Sequence, residues 1–156
     1  MANPEVVHST FVVERSYPQS PERVWSAFAQ PARKRRWYAE GDHEIKEFEM
    51  EFKEGAGERL RYRFKNGHPL AGREIAYKTT FEVIVPDQRI ITSSTMSLDG
   101  QPVSVSLVTF EFVSTDKGTD LICTHQGVFM EGSGGSQMRE AGWRSLLEKL
   151  AREMAE

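Results

Sequence analysis

The C-terminal segment constrains the fold more than any other part of the sequence. In residues 137–155 the apolar side chains recur at spacings of three and four: Trp143, Leu146, Leu147, Leu150 and Met154. This spacing predicts an amphipathic helix of about five turns. Because a lone amphipathic helix would leave its apolar face in water, the rest of the chain must supply a surface that covers it.

Strand patterns occupy most of the chain before this helix. Glycine and proline recur about every ten residues, which is typical of many short strands joined by turns. Alternating or β-branched apolar segments predict strands at residues 10–17, 47–52, 60–64, 81–85, 89–96, 103–113 and 121–129. Asp99-Gly100 is a strong hairpin signal between two of these strands.

Two short helices are predicted between the first and second strands. Ser20 can cap a helix, Pro21 suits its first position, and Glu22 suits the positive end of its dipole. Pro31 ends this helix, and residues 32–37 can form the second. One strand, two short helices, six antiparallel strands and a long helix are typical of an α+β fold rather than of βαβ units.

Length and composition restrict the class of protein. With 156 residues and a formal net charge of −3, the chain is expected to form one domain over residues 1–156 and to bind neither nucleic acid nor a membrane. Its one cysteine, Cys123, excludes an internal disulfide, and its four histidines lack metal-ligand spacing, so no metal or other cofactor is expected. No signal sequence or membrane span is visible, which predicts a cytoplasmic protein.

The order of several segments resembles a known family. They are SPERVWSAF at residues 20–28 with Pro31 and Trp37, then residues 52–59, 83–90, 104–112, 118–121 and 142–150. Together they resemble the START/Bet v 1-like (SRPBCC) superfamily and, within it, the single-domain bacterial proteins of the Aha1 type, which are related to the activator of the Hsp90 ATPase. The resemblance extends over residues ~10–155.

This resemblance implies both a fold and a kind of site. The implied fold is a helix-grip fold, in which a curved antiparallel sheet of six or seven strands wraps around the long C-terminal helix. It also implies an interior cavity that takes a hydrophobic ligand, as in polyketide-cyclase-like relatives. The sequence departs from the family at Ala56, which splits a glycine pair, and in the segment Thr124-His125-Gln126, where close relatives tend to carry an acidic residue before Gln126.

The candidate ligand-binding residues are aromatic and apolar side chains expected to face the interior, together with His125. They are Trp37, Phe48, Met50, Phe52, Tyr62, Phe64, Phe81, Val83, Met96, Phe110, His125, Met130, Trp143 and Leu147. Aromatic walls are typical of ligand pockets, and methionine adapts to irregular ligands. The same side chains would also suit a filled core, and the sequence leaves both alternatives open.

Three functions fit these residues. The first is binding of a small, mainly hydrophobic molecule, with Tyr62, Tyr77 and His125 as polar contacts. The second is a cyclase- or hydrolase-like reaction with His125 as base; no catalytic residue is assigned, because no paired carboxylates occupy adjacent inward positions. The third is a protein-interaction domain, similar to an Hsp90 co-chaperone, that uses the basic cluster at residues 33–36.

Four structural expectations complete the prediction. The glutamates of residues 47–51 should pair with the arginines of residues 59–63 on the solvent face of a hairpin. The cavity should open near Trp37 and the glycine-rich loop at residues 130–136, and Trp143 and Leu147 should be buried against the sheet. Exposed edge strands could also pair two copies into a homodimer.

Overall fold

The computed structural model describes residues 6–155. In chain order its elements are β1 (Val7–Tyr17), α1 (Pro21–Ala29), α2 (Pro31–Lys34) with a π-helical turn (Arg35–Ala39), β2 (His43–Met50), β3 (Gly57–Phe64), β4 (Glu74–Val85), β5 (Arg89–Leu98), β6 (Gln101–Thr115), β7 (Gly118–Phe129) and α3 (Gly135–Ala155). The seven strands form one antiparallel sheet in the order β1-β7-β6-β5-β4-β3-β2. The predicted α+β class and helix-grip arrangement are confirmed.

The first helix begins and ends as its sequence predicts. Ser20 accepts a hydrogen bond from the Arg23 backbone N–H at 3.2 Å, and Pro21 occupies the first turn. Gln30 then adopts an extended conformation immediately before Pro31. This short connection places α2 and its π-helical turn at one end of the sheet, beside α3.

α3 lies across the sheet and is held there by apolar packing and one buried hydrogen bond. Leu147, Leu150 and Met154 are buried in the main core. The hydroxyl of Tyr17 donates to the Leu147 carbonyl at 2.8 Å, which ties β1 to the middle of the helix. Trp143 is only partly buried, contrary to expectation, because its side chain lines a cavity instead of the filled core.

The charged hairpin differs in part from its predicted pairing. Glu47 and Arg61 face each other and form an ion pair at 3.8 Å. However, a register shift between Ile45 and Glu47 sets Arg63 opposite Glu44. Arg61 and Arg63 also reach Glu74 on β4, at 3.2 and 3.5 Å, so the charges form a network over three strands.

The longest error in the predicted strands is at β4. It begins at Glu74, seven positions before the predicted start at Phe81. The missed part contains Thr79, which is buried despite its hydroxyl, so the apolar alternation that marks a strand is weak there.

The edges of the sheet are β1 and β2, the strands that edge pairing would use. The homodimer itself stays a prediction. None of the helices within residues 6–155 combines the length and apolar character needed to cross a bilayer.

Candidate functional site

A cavity of about 230 Å³ lies between the inner face of the sheet and the helices. Its apolar wall is formed by side chains from α1, from the β2–β3 connection, from the strands and from α3: Phe28, Phe52, Leu60, Phe81, Ile90, Val108, Phe110, Trp143 and Leu146. Trp143 and Phe110 meet edge to face, with ring centroids 5.3 Å apart. The more exposed side of the lining is formed by His43, Gly142 and Lys149. The loop at residues 130–136, where the opening was expected, does not belong to the lining.

A belt of hydroxyl groups crosses the floor of the cavity. Thr79, Ser94 and Ser106 occupy neighbouring inward positions on β4, β5 and β6. Thr79 and Ser94 share a hydrogen bond of 2.9 Å between their hydroxyls. The Ser106 hydroxyl is buried and has no hydrogen-bond partner within the described residues 6–155. A filled core would place apolar side chains at these positions, so the belt gives the cavity a polar surface.

His125 lies beside this belt on β7 and is 1% exposed. Its ring stacks on Phe11, with centroids 4.6 Å apart and planes 7° from parallel, and it also lies 5.8 Å from the ring of Phe129. In the part of the chain that the structure describes, Nδ1 of His125 has no hydrogen-bond partner. Burial, assisted by the charge of Arg139, lowers the pKa of His125 to about 4, so the imidazole is neutral at pH 7.

Gly127 makes this arrangement of rings possible. It lies between His125 and Phe129 on the same inward face of β7 and is itself buried. A Cβ atom at this position would come within 2.9 Å of the His125 ring and 2.8 Å of the Phe129 ring. Any larger residue would therefore displace both rings.

The other end of the cavity contains a buried ion pair. Lys34 Nζ lies 3.1 and 3.3 Å from the two carboxylate oxygens of Glu58, and both side chains are about 5% exposed. The ammonium also lies 4.5 Å from the centre of the Tyr38 ring. Burial, followed by the negative charge of Glu58, raises the pKa of Tyr38, so its hydroxyl stays protonated.

The four basic side chains of residues 33–36 point in different directions and have partners within the described residues. They do not form the single free cationic surface that the protein-interaction hypothesis requires. Lys34 is buried, Arg35 pairs with Glu40 at 3.4 Å, and Arg36 pairs with Glu153 at 3.1 Å. Arg33 donates to the Gln30 side chain at 3.0 Å. The main reason is geometric, because a helical turn distributes four consecutive residues around its axis.

Arg139 reaches the cavity from the first turns of α3. Its Nη2 donates to Ser104 Oγ at 2.7 Å and contacts the sulfur of Met96. Its guanidinium lies over the rings of Tyr77 and Phe129, at 5.7 and 5.4 Å from their centres. Burial raises the pKa of Tyr77 and of its neighbour Tyr62, so both phenols are neutral hydrogen-bonding groups.

The structure brings together only part of the predicted ligand-binding set. The cavity lining includes Phe52, Tyr62, Phe81, Phe110, His125 and Trp143, with Tyr77 as expected for a polar contact. The rest lie outside this lining: Trp37, Phe48, Met50, Phe64, Val83, Met96, Met130 and Leu147. Within residues 6–155, no group of three or more histidine, cysteine or acidic side chains could hold a metal ion.

For three of the side chains outside the cavity lining, the structure shows which contacts or register place them elsewhere. Trp37 is fully buried in the core, where its indole N–H donates to the Ala27 carbonyl at 2.9 Å. Phe64 stacks on His68, with centroids 4.1 Å apart. Val83 follows a register shift between Phe81 and Val83 that breaks the inward alternation of β4.

The charged side chains of the lining were not predicted from the sequence; they are Lys34, Glu58, Arg139 and Lys149. A signal for Glu58 was present, since it lies two residues before Leu60 and therefore on the same face of β3. No comparable signal marks Lys34 or Arg139, because both extend from helices toward the cavity.

The chain is similar to several proteins of known structure. It is 45% identical to the Mll3558 protein from Rhizobium loti, with a TM-score of 0.85 over 96% of this chain and 99% of that one. A putative uncharacterised protein from Rhizobium leguminosarum is 29% identical, with a TM-score of 0.90 over 99% of both chains. DynU16, a putative protein in the dynemicin biosynthetic locus, shares the fold at 20% identity and a TM-score of 0.66, over 94% of this chain and 47% of that one.

Among curated proteins, none matches this sequence significantly. The family model described as "Activator of Hsp90 ATPase homolog 1-like protein" matches residues 18–155, which include α1, the strands β2 to β7 and α3. The chain therefore belongs to the family of Activator of Hsp90 ATPase homolog 1-like proteins.

Proposed function

We propose that this protein binds a small, mainly hydrophobic molecule that also carries a polar group, in the cavity between the sheet and α3. One observation carries the proposal: the cavity has an aromatic and aliphatic wall, yet it contains two buried polar atoms without partners among residues 6–155, Ser106 Oγ and His125 Nδ1. A buried polar group without a partner costs about 1–3 kcal/mol. A ligand with both an apolar body and a polar group would satisfy these atoms.

The size of the cavity limits the ligand. An apolar cavity of about 150 Å³ is large enough for benzene, whereas pockets for drug-sized molecules usually exceed about 300 Å³. A cavity of about 230 Å³ therefore suits a molecule with one aromatic ring or a short chain, of roughly ten non-hydrogen atoms.

Binding agrees better with the geometry than catalysis does. The enzyme hypothesis requires His125 as a base, but a pKa of about 4 makes it a weak one at neutral pH. A reaction of this type would also need an acidic partner, and the carboxylate in the cavity lining, Glu58, forms an ion pair with Lys34. These groups are suited to orient a bound molecule by hydrogen bonds.

Native mass spectrometry of the freshly purified protein tests the proposal directly. We expect an adduct of low molecular mass that is lost on mild activation. Titration calorimetry with indole, 1-octanol and 3-phenylpropan-1-ol should also give saturable binding with one site per chain. The absence of both an adduct and any saturable binding would overturn the proposed function.

A cavity-filling variant assigns binding to this site. Ser106→Phe places a large side chain on the cavity floor, whereas Val105→Phe adds the same ring on the exposed face of the same strand. We expect binding to be lost in the first variant and retained in the second, with both folded by circular dichroism. Equal binding by both variants would place the ligand elsewhere.

A further inference from the structure

We propose that the ligand is a monocarboxylic acid, and that Arg139, Ser106 and His125 form the subsite that holds its carboxylate. This inference rests on the proposed function and names the chemical class of the ligand. It commits to a single negative charge on the head of a molecule whose body is apolar.

Arg139 supplies a positive charge that no acidic group balances. Its guanidinium faces the cavity, and no carboxylate of residues 6–155 lies within 4.0 Å of it. Within residues 6–155, the side-chain hydrogen bonds that Arg139 donates, to Ser104 and to Met96, both start from Nη2. Nε and Nη1 therefore keep N–H donors, each of which can give a single charge-assisted hydrogen bond to a carboxylate oxygen.

Ser106 and His125 add two polar groups that are already desolvated. Both side chains are more than nine-tenths buried, both line the cavity, and each has an atom with no partner among the described residues. The Ser106 hydroxyl can donate one hydrogen bond, and the neutral imidazole of His125 can donate another from Nδ1. A bound acceptor would therefore gain both hydrogen bonds without breaking one inside residues 6–155.

The fold brings these three groups to one wall. Ser104, the hydrogen-bond partner of Arg139, and Ser106 occupy successive inward positions on β6. Ser104 pairs with Phe129 across the sheet, and the Phe129 ring lies against both Arg139 and His125. The guanidinium of Arg139, at Ser104, and the hydroxyl of Ser106 therefore lie at successive inward positions of β6. The imidazole of His125 comes from the neighbouring strand, β7.

The charge balance favours a monoanion over a phosphate or a neutral head. The charge of Lys34 is already cancelled by Glu58, and the ammonium of Lys149 donates to the Glu40 carbonyl on the more exposed side of the lining. Within residues 6–155, Arg139 is therefore the uncompensated cation that lies beside Ser106 and His125. A second negative charge on the ligand would be buried without a partner, at a large desolvation cost. A neutral head would leave the guanidinium uncompensated.

Matched ligands test this inference. We suggest titrating the wild-type protein at about pH 7.5 with 3-phenylpropanoate, 3-phenylpropanamide and 3-phenylpropan-1-ol, which share the same apolar body. Carboxylic acids are ionised at this pH. We expect the acid to bind about tenfold or more tightly than the alcohol, because hydrogen bonds to charged groups are stronger than neutral ones.

Variants of α3 assign the difference to one residue. Arg139→Gln should weaken the acid about tenfold or more and change the alcohol by less than about threefold, and Arg139→Lys should retain part of the preference. Arg144→Gln is the matched control, since Arg144 is an exposed arginine on the same helix that pairs with Glu140. Ser106→Ala provides a second, less disruptive variant, with a smaller loss for the acid alone.

The outcomes separate the two proposals. If the acid and alcohol bind the wild type equally, or if Arg139→Gln weakens both alike, the carboxylate subsite is wrong while the proposed function stands. If none of the three compounds binds, and no adduct or other saturable ligand is found, the proposed function itself is wrong. Should Arg139→Gln fail to fold, the wild-type comparison and Ser106→Ala still decide.

Discussion

At the scale of single residues, three ionisable side chains lie beside the cavity while less than a tenth exposed: His125, Lys34 and Glu58. Their surroundings differ. His125 is surrounded by aromatic rings and becomes neutral, whereas Lys34 and Glu58 form an ion pair. Burying a charge is costly unless it is paired. The neutral His125 therefore predicts that stability depends on pH, and the Lys34–Glu58 ion pair predicts a large loss of stability when either partner is replaced.

The depressed pKa of His125 predicts that stability falls as the protein is acidified. The folded state holds its pKa at about 4, below the ordinary value of 6.5, so the unfolded state binds more protons between these values. The free energy of unfolding should therefore decrease as the pH falls from about 6.5 to about 4, by up to about 3 kcal/mol.

Urea denaturation across this range measures the effect. His125→Phe should reduce the slope while keeping an aromatic ring against Phe11. His8→Asn, at an exposed histidine of β1, should leave it unchanged. A slope that is the same in wild type and His125→Phe would contradict this assignment.

The Lys34–Glu58 pair predicts a large loss from either single substitution. Lys34→Met leaves a buried carboxylate without a partner, and such losses reach about 3–5 kcal/mol. The double variant with Glu58→Leu should recover most of that stability. In contrast, Arg35→Met breaks an exposed pair and should cost less than about 1 kcal/mol. The prediction is wrong if, by chemical denaturation, Lys34→Met costs no more than Arg35→Met.

At the scale of elements, α3 has two sections with different roles. Its C-terminal part carries Leu147 and Leu150, both fully buried, while its N-terminal part carries Arg139 and Trp143 toward the cavity. Because the two sections face different surroundings, substitutions along the helix should separate stability from binding.

Leu147→Ala should therefore destabilise the fold by about 2–5 kcal/mol, the usual cost of truncating a buried leucine. Trp143→Ala should cost less, since Trp143 is partly exposed and borders empty space, but it should weaken ligand binding. Met138→Ala, at a side chain that is 66% exposed, is the control for helix composition. Thermal and urea unfolding give the ranking, which an equal loss at Leu147 and Trp143 would contradict.

Elements with strong apolar patterns could be predicted from the sequence, and those with polar interiors could not. α3, the cap of α1 and the alternation of β2 and β3 follow from local spacing. The first half of β4 was missed because Thr79 faces inward, and register shifts in β2 and β4 have no local signal. Likewise, the aromatic wall was predicted in part, whereas Lys34 and Arg139 depend on how the helices lie over the sheet.

At the scale of the whole molecule, the cavity lowers the free energy of unfolding, because its polar interior is left unfilled. A ligand that binds only the folded state would return some of that stability, by about 2.7 kcal/mol at a concentration 100 times its dissociation constant. Within the hydroxyl belt of the empty protein, Thr79 and Ser94 share a hydrogen bond, whereas the Ser106 hydroxyl has no partner among residues 6–155.

Removing that hydroxyl should therefore stabilise the empty protein. Ser106→Ala eliminates an unpartnered buried polar group and should raise the free energy of unfolding by up to about 1 kcal/mol. Ser94→Ala is the matched control, because it breaks the hydrogen bond to Thr79 and should lower that free energy. Urea denaturation of both variants checks the opposite signs; a loss in Ser106→Ala similar to that in Ser94→Ala would show that its hydroxyl is satisfied.

The nearly parallel stack of His125 on Phe11 also has a magnetic consequence. The circulating π electrons of Phe11 shield nuclei that lie over its face, so the carbon-bound imidazole protons of His125 should resonate upfield of those of exposed histidines such as His8. A molecule that enters the cavity and shifts the imidazole by a fraction of an ångström would change this shielding. His125 is thus a built-in reporter, readable in a simple one-dimensional proton spectrum without a label.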